Sequence, residues 1–243
     1  ADECQIYTDV DGIFTTDPRV YDKARLLKEV SFEEMLELSS SGAKVLQLRA
    51  VEYASKFNLP IRVLSSFNEG EGTLVQEEKN IMERPIVSGI SSIDSEAKLT
   101  IRGVPDIPGV AAKILSPISE AGIEVDVIVQ NIGADNTTDF TFTVNKDDTK
   151  QAEEILKKTS TTLGGGLIDV DDDIAKISIV GRGMRAHAGV ASKMFQALAK
   201  SEINISMITT SEIKISVVIK KSEKTKAVAA LHDAFDLDKE LDE

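Results

Sequence analysis

Thr8-Asp9 followed by Phe14-Thr15-Thr16-Asp17-Pro18-Arg19, with Lys44 behind Gly42, gathers hydroxyls, carboxylates and cations after a short apolar stretch. A strand-end loop of this make-up could hold a nucleotide, its carboxylates taking ribose or base donors and Arg19 and Lys44 meeting phosphate charge. An ordinary polar turn accounts for the same residues. A second candidate is Pro105-Asp106-Ile107-Pro108-Gly109, which leads straight into an apolar-periodic stretch at Val110. Helix-start N–H groups and the helix dipole would attract a carboxylate there, such as the α-carboxylate of an amino acid. Asp106 and Asp126 are placed to accept from its ammonium group. A routine loop beside a surface acid is the competing reading.

Other chemistries fit less well. Gly164-Gly165-Gly166 lacks the Lys-Ser or Lys-Thr that a phosphate loop needs. Asp169-Val170-Asp171-Asp172-Asp173 begins like a calcium loop but has neither its Gly nor its terminal Glu. His187 and His232 are the only histidines, without partners at zinc-ligand spacing, and no Ser-His-Asp or Cys-His set can be argued from them. No metal ligand and no catalytic residue is assigned.

These residues need elements to position them. Ala97-Lys98-Leu99-Thr100-Ile101 is answered by Ala175-Lys176-Ile177-Ser178-Ile179, Gly109-Val110-Ala111 by Gly189-Val190-Ala191, and Ile123 by Ile203. The chain therefore carries a duplicated α/β module, and a doubled small-molecule sensor is the first hypothesis. The first copy reads as strand 99–103, helix 110–121, strands 125–131 and 139–145, helix 149–159 and a closing strand near 167–170. The second reads as strand 176–180, helix 190–201, strands 205–209 and 213–220, and helix 224–235. It lacks a closing strand, because residues 236–243 are mostly charged. Pro85-Ile86-Val87-Ser88-Gly89-Ile90 is an orphan strand upstream, so the first module is expected to be inserted within the second. The loop 183–188 of the second copy carries Met184, Arg185 and His187, and Ser206 replaces Asp126. That divergence points to one copy alone keeping the loop's ligand chemistry.

Residues 1–75 follow another pattern. A strand over 5–8 enters the polar loop. Ser31 and Glu34 have capping-box spacing for a helix that stops near Gly42, and a second helix is expected over 43–57, before Asn58-Leu59-Pro60. Strands follow at 61–64 and 72–75, then a polar linker over 76–84. The expected domains are 1–75, then 94–173 for the first module, with 85–93 and 174–243 forming the second.

Composition bounds the partners. The chain has 243 residues, 42% of them apolar, enough for two or three compact cores. A net charge of -13 repels nucleic acid and anionic lipid, leaving small ligands and proteins. The single Cys4 can form no internal disulfide, no apolar run reaches bilayer-spanning length, and no start resembles a signal peptide, so the cytoplasm is the expected compartment.

Tyr7-Thr8-Asp9-Val10-Asp11-Gly12-Ile13-Phe14-Thr15-Thr16-Asp17-Pro18-Arg19, then Gly42-Ala43-Lys44-Val45-Leu46, resembles the last part of the amino acid kinase domain of the aspartate kinase family. The remainder is similar to that family's paired ACT domains. The resemblance covers nearly the whole chain and implies an α/β fold: the C-terminal piece of an amino acid kinase, then two ferredoxin-like βαββαβ ACT domains, the first inserted within the second. It implies ATP-dependent phosphorylation of aspartate, with ATP and Mg²⁺ as the complete enzyme's requirements and lysine and threonine as feedback effectors. Thr8, Asp9, Phe14, Thr15, Thr16, Asp17, Pro18, Arg19 and Lys44 would then contact ATP. Asp106, Gly109, Ala111, Glu124, Val125, Asp126 and Gln130 of the first module would bind effectors opposite Asn204, Ile205, Ser211 and Glu212 of the second. Val129-Gln130-Asn131 and Thr210-Ser211-Glu212 look most like the lysine-plus-threonine responsive type. The family's N-terminal Lys-Phe-Gly-Gly-Thr-Ser type segment has no counterpart, so a fragment is expected. A non-catalytic sensing subunit that controls a separate kinase chain is the alternative. Pairing of ACT domains into a homodimer, with or without a longer catalytic chain, is the expected assembly.

Overall fold

The computed structural model describes residues 1–77, 86–133 and 135–239, which form two compact units, Ala1–Ile93 with Lys176–Glu243, and Asp94–Ala175. The first unit starts with a four-stranded sheet in which β1 (Cys4–Thr8) pairs in parallel with β3 (Ile61–Ser65). Next come β4 (Thr73–Gln76), antiparallel to β3, and β2 (Glu29–Ser31), parallel to β4. Gln76, expected in the linker, is thus the last residue of β4, and residues 78–84 of that linker lie outside the described residues. Helix α1 (Phe32–Ser40) begins with the expected capping box, Ser31 and Glu34 each accepting from the other's backbone N–H. It covers a core made of Met35, Leu38, Val51, Val63 and Val75.

Two expectations for this region fail locally. The three-residue β2 was missed, since so short a strand has no readable alternation. The second helix is α2 (Leu48–Lys56), not 43–57. Gly42, at φ 109, ends α1, with the Ala43 N–H donating back to the Leu38 carbonyl at 2.9 Å. That left-handed residue sends the chain off the helical path. Residues 43–47 then run irregularly to bury Leu46 before α2 starts and packs on α1.

The second unit is the first module: β6 (Glu96–Pro105), α3 (Val110–Glu120), β7 (Val125–Ile132), β8 (Thr137–Asn145), α4 (Thr149–Thr162) and β9 (Leu167–Asp171). This is the βαββαβ order, in an antiparallel sheet β7-β8-β6-β9. Ile114 and Ile118 from α3 and Leu156 from α4 pack with Leu99, Ile101, Phe140 and Phe142 from the strands. Strand β6 outruns the expected 99–103 because a register shift between Ile101 and Val104, with Gly103 at φ 69, lets pairing resume as far as Pro105.

The second module belongs to the first unit. It comprises β10 (Ile174–Val180), α5 (Val190–Lys200), β11 (Met207–Thr210), β12 (Lys214–Lys220) and α6 (Lys224–Ala234). Its sheet is completed by β5 (Gly89–Ile93), antiparallel to β10, at the place β9 holds in the other copy. The first module is therefore inserted within the second. The orphan strand starts at Gly89 rather than at 85; Pro85 lies outside the described residues, and the Ser88 N–H still bonds the Val180 carbonyl at 2.7 Å.

Candidate nucleotide loop and effector surfaces

The loop after β1 is held from beneath. The Ser66 N–H bonds the Thr8 carbonyl at 2.8 Å, and Thr73 Oγ1 accepts from the Ile13 N–H at 2.8 Å. Its outgoing and returning limbs meet at one bridge, Phe14 with Leu26. On the outer side Thr8 Oγ1 donates to Asp9 Oδ1 at 3.2 Å, Asp9 Oδ2 takes Arg19 at 3.3 Å, and Asp17 Oδ1 accepts from the Arg19 N–H at 2.9 Å. The sequence-predicted residues Thr8, Asp9, Asp17 and Arg19 are thus brought together. The Asp9–Arg19 pair is exposed and worth about 0.2–1 kcal/mol, so a polyanion can draw the guanidinium away at small cost.

Not every member of the predicted set faces outward. Pro18 and Lys44 are exposed and Phe14 is half-buried, but Thr15 and Thr16 are buried. Thr15 Oγ1 accepts from the Arg25 N–H at 2.9 Å and shares a bond of 2.9 Å with His232 Nε2. Thr15 holds the loop in place; its hydroxyl is not offered to a ligand.

A set of contacts from α1 to the second module was not foreseen. Glu34 is buried, and its Oε2 accepts from the Ser31 N–H and Oγ, while Oε1 accepts from Ser88 Oγ at 2.6 Å and the Arg182 N–H at 3.1 Å. Glu33 pairs with Arg182 and, at 2.6 Å, with Arg185; Glu37 pairs with Lys214 at 2.7 Å. Arg185 also reaches Glu212, a predicted effector residue, at 2.9 Å. The run of acids 33, 34 and 37 on one helix was the only sequence signal, and it does not name its partners.

The predicted effector residues lie in both copies, and Asn204 and Ile205 alone stand where the first copy has predicted ones. In the first, Gly109 precedes α3 at φ 86 with open space around it, and Asp106, Glu124, Asp126 and Gln130 are exposed while Ala111 and Val125 are half-buried. No side chain caps α3, so its first N–H groups suit an anion. In the second, Gly189 takes the matching place before α5 at φ 91. Asn204 and Ile205 answer Glu124 and Val125, and Ser211 and Glu212 form the tight turn in which the Ser211 N–H bonds the Lys214 carbonyl at 2.8 Å. The loops between first strand and first helix differ, as the sequence suggested: Arg182–Ala186 makes a 3-10 turn absent from the first copy. Among the described residues no group of three or more His, Cys, Asp or Glu could hold a metal ion, and no helix is long and apolar enough to cross a membrane.

Residues 1–65 match the amino acid kinase family, and residues 99–160 and 177–235 each match an ACT domain. An aspartokinase of Pseudomonas aeruginosa is 63% identical over 98% of this chain and 58% of its own length. A crystal structure of aspartokinase alpha and beta subunits is 49% identical, at TM-score 0.59, over 62% of this chain and 99% of that one. The chain belongs to the aspartokinase family. It spans 58% of the length of the Pseudomonas relative. Escherichia coli aspartokinase III is 25% identical in two solved states: with aspartate and ADP (TM-score 0.83, 96% of this chain, 52% of that one), and with lysine and aspartate (0.79, 97% and 52%). Within the aspartokinase framework, the first family match ends at Ser65, the last residue of β3, and the two ACT matches fall on the two βαββαβ modules.

Proposed function

We propose that this chain is the C-terminal, regulatory part of an aspartokinase that transfers the γ-phosphoryl group of ATP, as its Mg²⁺ complex, to the side-chain carboxylate of aspartate, giving 4-phospho-L-aspartate. The observation that carries this reading is the joining of the 8–19 loop and the second ACT module in one compact unit, through Glu34, Glu33, Glu37 and Thr15. In this reading the kinase piece runs from residue 1 to Gln76 at the end of β4, the linker follows as far as residue 84, 94–173 are the first ACT domain, and 85–93 with 174–243 the second. Asp9, Asp17, Arg19 and Lys44 meet the nucleotide, Thr8, Phe14 and Pro18 shape its seat, and Thr15 and Thr16 support it. No residue here is assigned to bond-making, so positioning and charge stabilisation are this chain's share of catalysis.

Lysine, threonine or both bind the ACT modules, using the helix-start N–H groups after Gly109 with Asp106, Ala111, Glu124, Val125, Asp126 and Gln130 in the first, and Asn204, Ile205, Ser211 and Glu212 in the second. The E. coli enzyme solved with lysine lends support to that ligand class. Effectors inhibit by binding an inactive arrangement more tightly than the active one. ACT pairing into a homodimer, alone or with a longer catalytic chain, would occur in the cytoplasm. The alternative is a sensing subunit without nucleotide. Residues 1–65, which match the amino acid kinase family, are a portion that a pure sensor does not need.

Joined to the N-terminal segment of its Pseudomonas relative, the chain is expected to phosphorylate aspartate and to lose most of that rate in lysine plus threonine. Activity that ignores both amino acids would refute the regulatory reading. ATP heat in the isolated chain supports the kinase piece, whereas effector heat without nucleotide heat supports the sensor.

A further inference from the structure

The end of α6 and the limb returning from the 8–19 loop grip each other through contacts to which the proposed function gives no role beyond joining the two parts. His232 is fully buried, and its Nε2 lies 2.9 Å from Thr15 Oγ1. Because that oxygen already accepts from Arg25, its own proton is available to a neutral imidazole. Tyr21 Oη donates to Asp233 Oδ1 at 2.6 Å, and its ring meets His232 edge-on with centroids 5.0 Å apart. Lys23 Nζ stands 3.9 Å from the same Asp233 carboxylate, and Arg25 Nε donates to the Leu237 carbonyl at 3.4 Å. The Thr15 carbonyl is taken by the Ile90 N–H of β5 at 2.7 Å, so both the side chain and the backbone of Thr15 are fixed by the second module. The loop's limbs meet at the Phe14–Leu26 bridge and through the Arg25 N–H bond to Thr15 Oγ1, and the contacts from α6 and β5 hold that junction from outside.

We propose that α6 positions the nucleotide loop through His232, acting as a clamp that sets how residues 14–19 are presented to ATP. This rests on the nucleotide reading of the loop. The clamp is also sensitive to acid. Burial holds the His232 imidazole below the usual histidine range; Asp238 and Asp233 oppose that, while Arg25 and Lys23 add to it. Strand β5, which packs on α6, brings no titratable side chain, and α5 brings Lys193, whose ammonium lies 5.0 Å from the Phe235 ring centroid. The second ring nitrogen, Nδ1, is buried without a hydrogen-bond partner, so an imidazolium here would be desolvated and half-satisfied. The folded chain thus keeps the neutral ring, while the unfolded chain takes up a proton below about pH 6.5. The stability this site contributes is present above that pH and is lost as pH falls through the lower folded-state value. His232 is a positioning residue in this scheme: it acts through Thr15.

Wild type, His232→Gln and His232→Leu are to be compared by Mg²⁺-ATP calorimetry and amide hydrogen exchange. Glutamine can still bond Thr15; leucine cannot. His232→Leu should lose about tenfold in ATP affinity and speed exchange at residues 13–25, leaving the Asp94–Ala175 unit unchanged. His232→Gln should restore most of both. Lowering pH from about 7.5 to 5.5, with exchange corrected for its intrinsic rate, should open residues 13–25 in wild type and add little in either variant. Thr15→Val removes the same bond from the other end and answers the question should His232→Leu not fold. Wild-type ATP affinity and loop exchange in these variants would overturn the clamp and leave the nucleotide reading standing. A wild-type chain that takes no ATP would overturn both.

Discussion

Glu34→Ala should destabilise the first unit by about 3 kcal/mol, seen as a lower urea midpoint with faster exchange in Ala1–Ile93 and Lys176–Glu243 and none in Asp94–Ala175. The carboxylate serves four donors: the Ser31 N–H and hydroxyl, the Ser88 hydroxyl and the Arg182 N–H. Ser31 and Ser88 are themselves buried, so alanine would leave donors without water as a substitute. It also halves the capping box of α1, worth about 1 kcal/mol alone. Glu34→Gln keeps the size and one acceptor oxygen but turns an NH₂ group toward two donors, and should fall between wild type and alanine. A loss below about 1 kcal/mol for alanine would mean that Glu34 is not what joins α1 to the second module.

Asp126→Ala and Ser211→Ala should each weaken effector binding by about 10- to 100-fold, the range expected when a hydrogen bond to a charged ligand group is lost. Neither residue lies on the loop after β1, so the aspartate-phosphorylating rate of the completed enzyme should persist while its sensitivity to lysine and threonine falls. Inhibition curves at fixed ATP and aspartate provide the readout. Full inhibition retained in both variants would remove the ACT residues named here from the effector site. Glu212 is a third case, because Arg185 links it to Glu33 of α1. Its loss should alter inhibition through that link as well as through the ligand.

Much of the fold could be read ahead of the structure, because both modules are patterned locally. The Ala97 and Ala175 repeats, the glycines before α3 and α5 and the apolar spacing within each helix all act over a few residues. The inserted topology followed from one missing edge: a charged tail could not serve as the fourth strand, and β5 fills the place. The start of α2 failed because the apolar period over 43–57 continues across a backbone that a left-handed Gly42 has already turned. The contacts at the site were hidden for a different reason. Glu34 meets Ser88 across 54 positions and Arg182 across 148, and Thr15 meets His232 across 217. A polar side chain's partner at that distance is set by packing, which leaves no period in the sequence to detect. His232 shows the cost: without zinc-ligand spacing it carries no sequence signal, yet it is fully buried and bonded to Thr15 of the loop after β1.

Titrating the isolated chain with lysine, threonine and their mixture in a calorimeter puts the account to its most direct test. Saturable heat from at least one amino acid, reduced in Asp126→Ala and Ser211→Ala, is the result it predicts. Correctly folded chain that retains neither amino acid, alone or mixed, would contradict it.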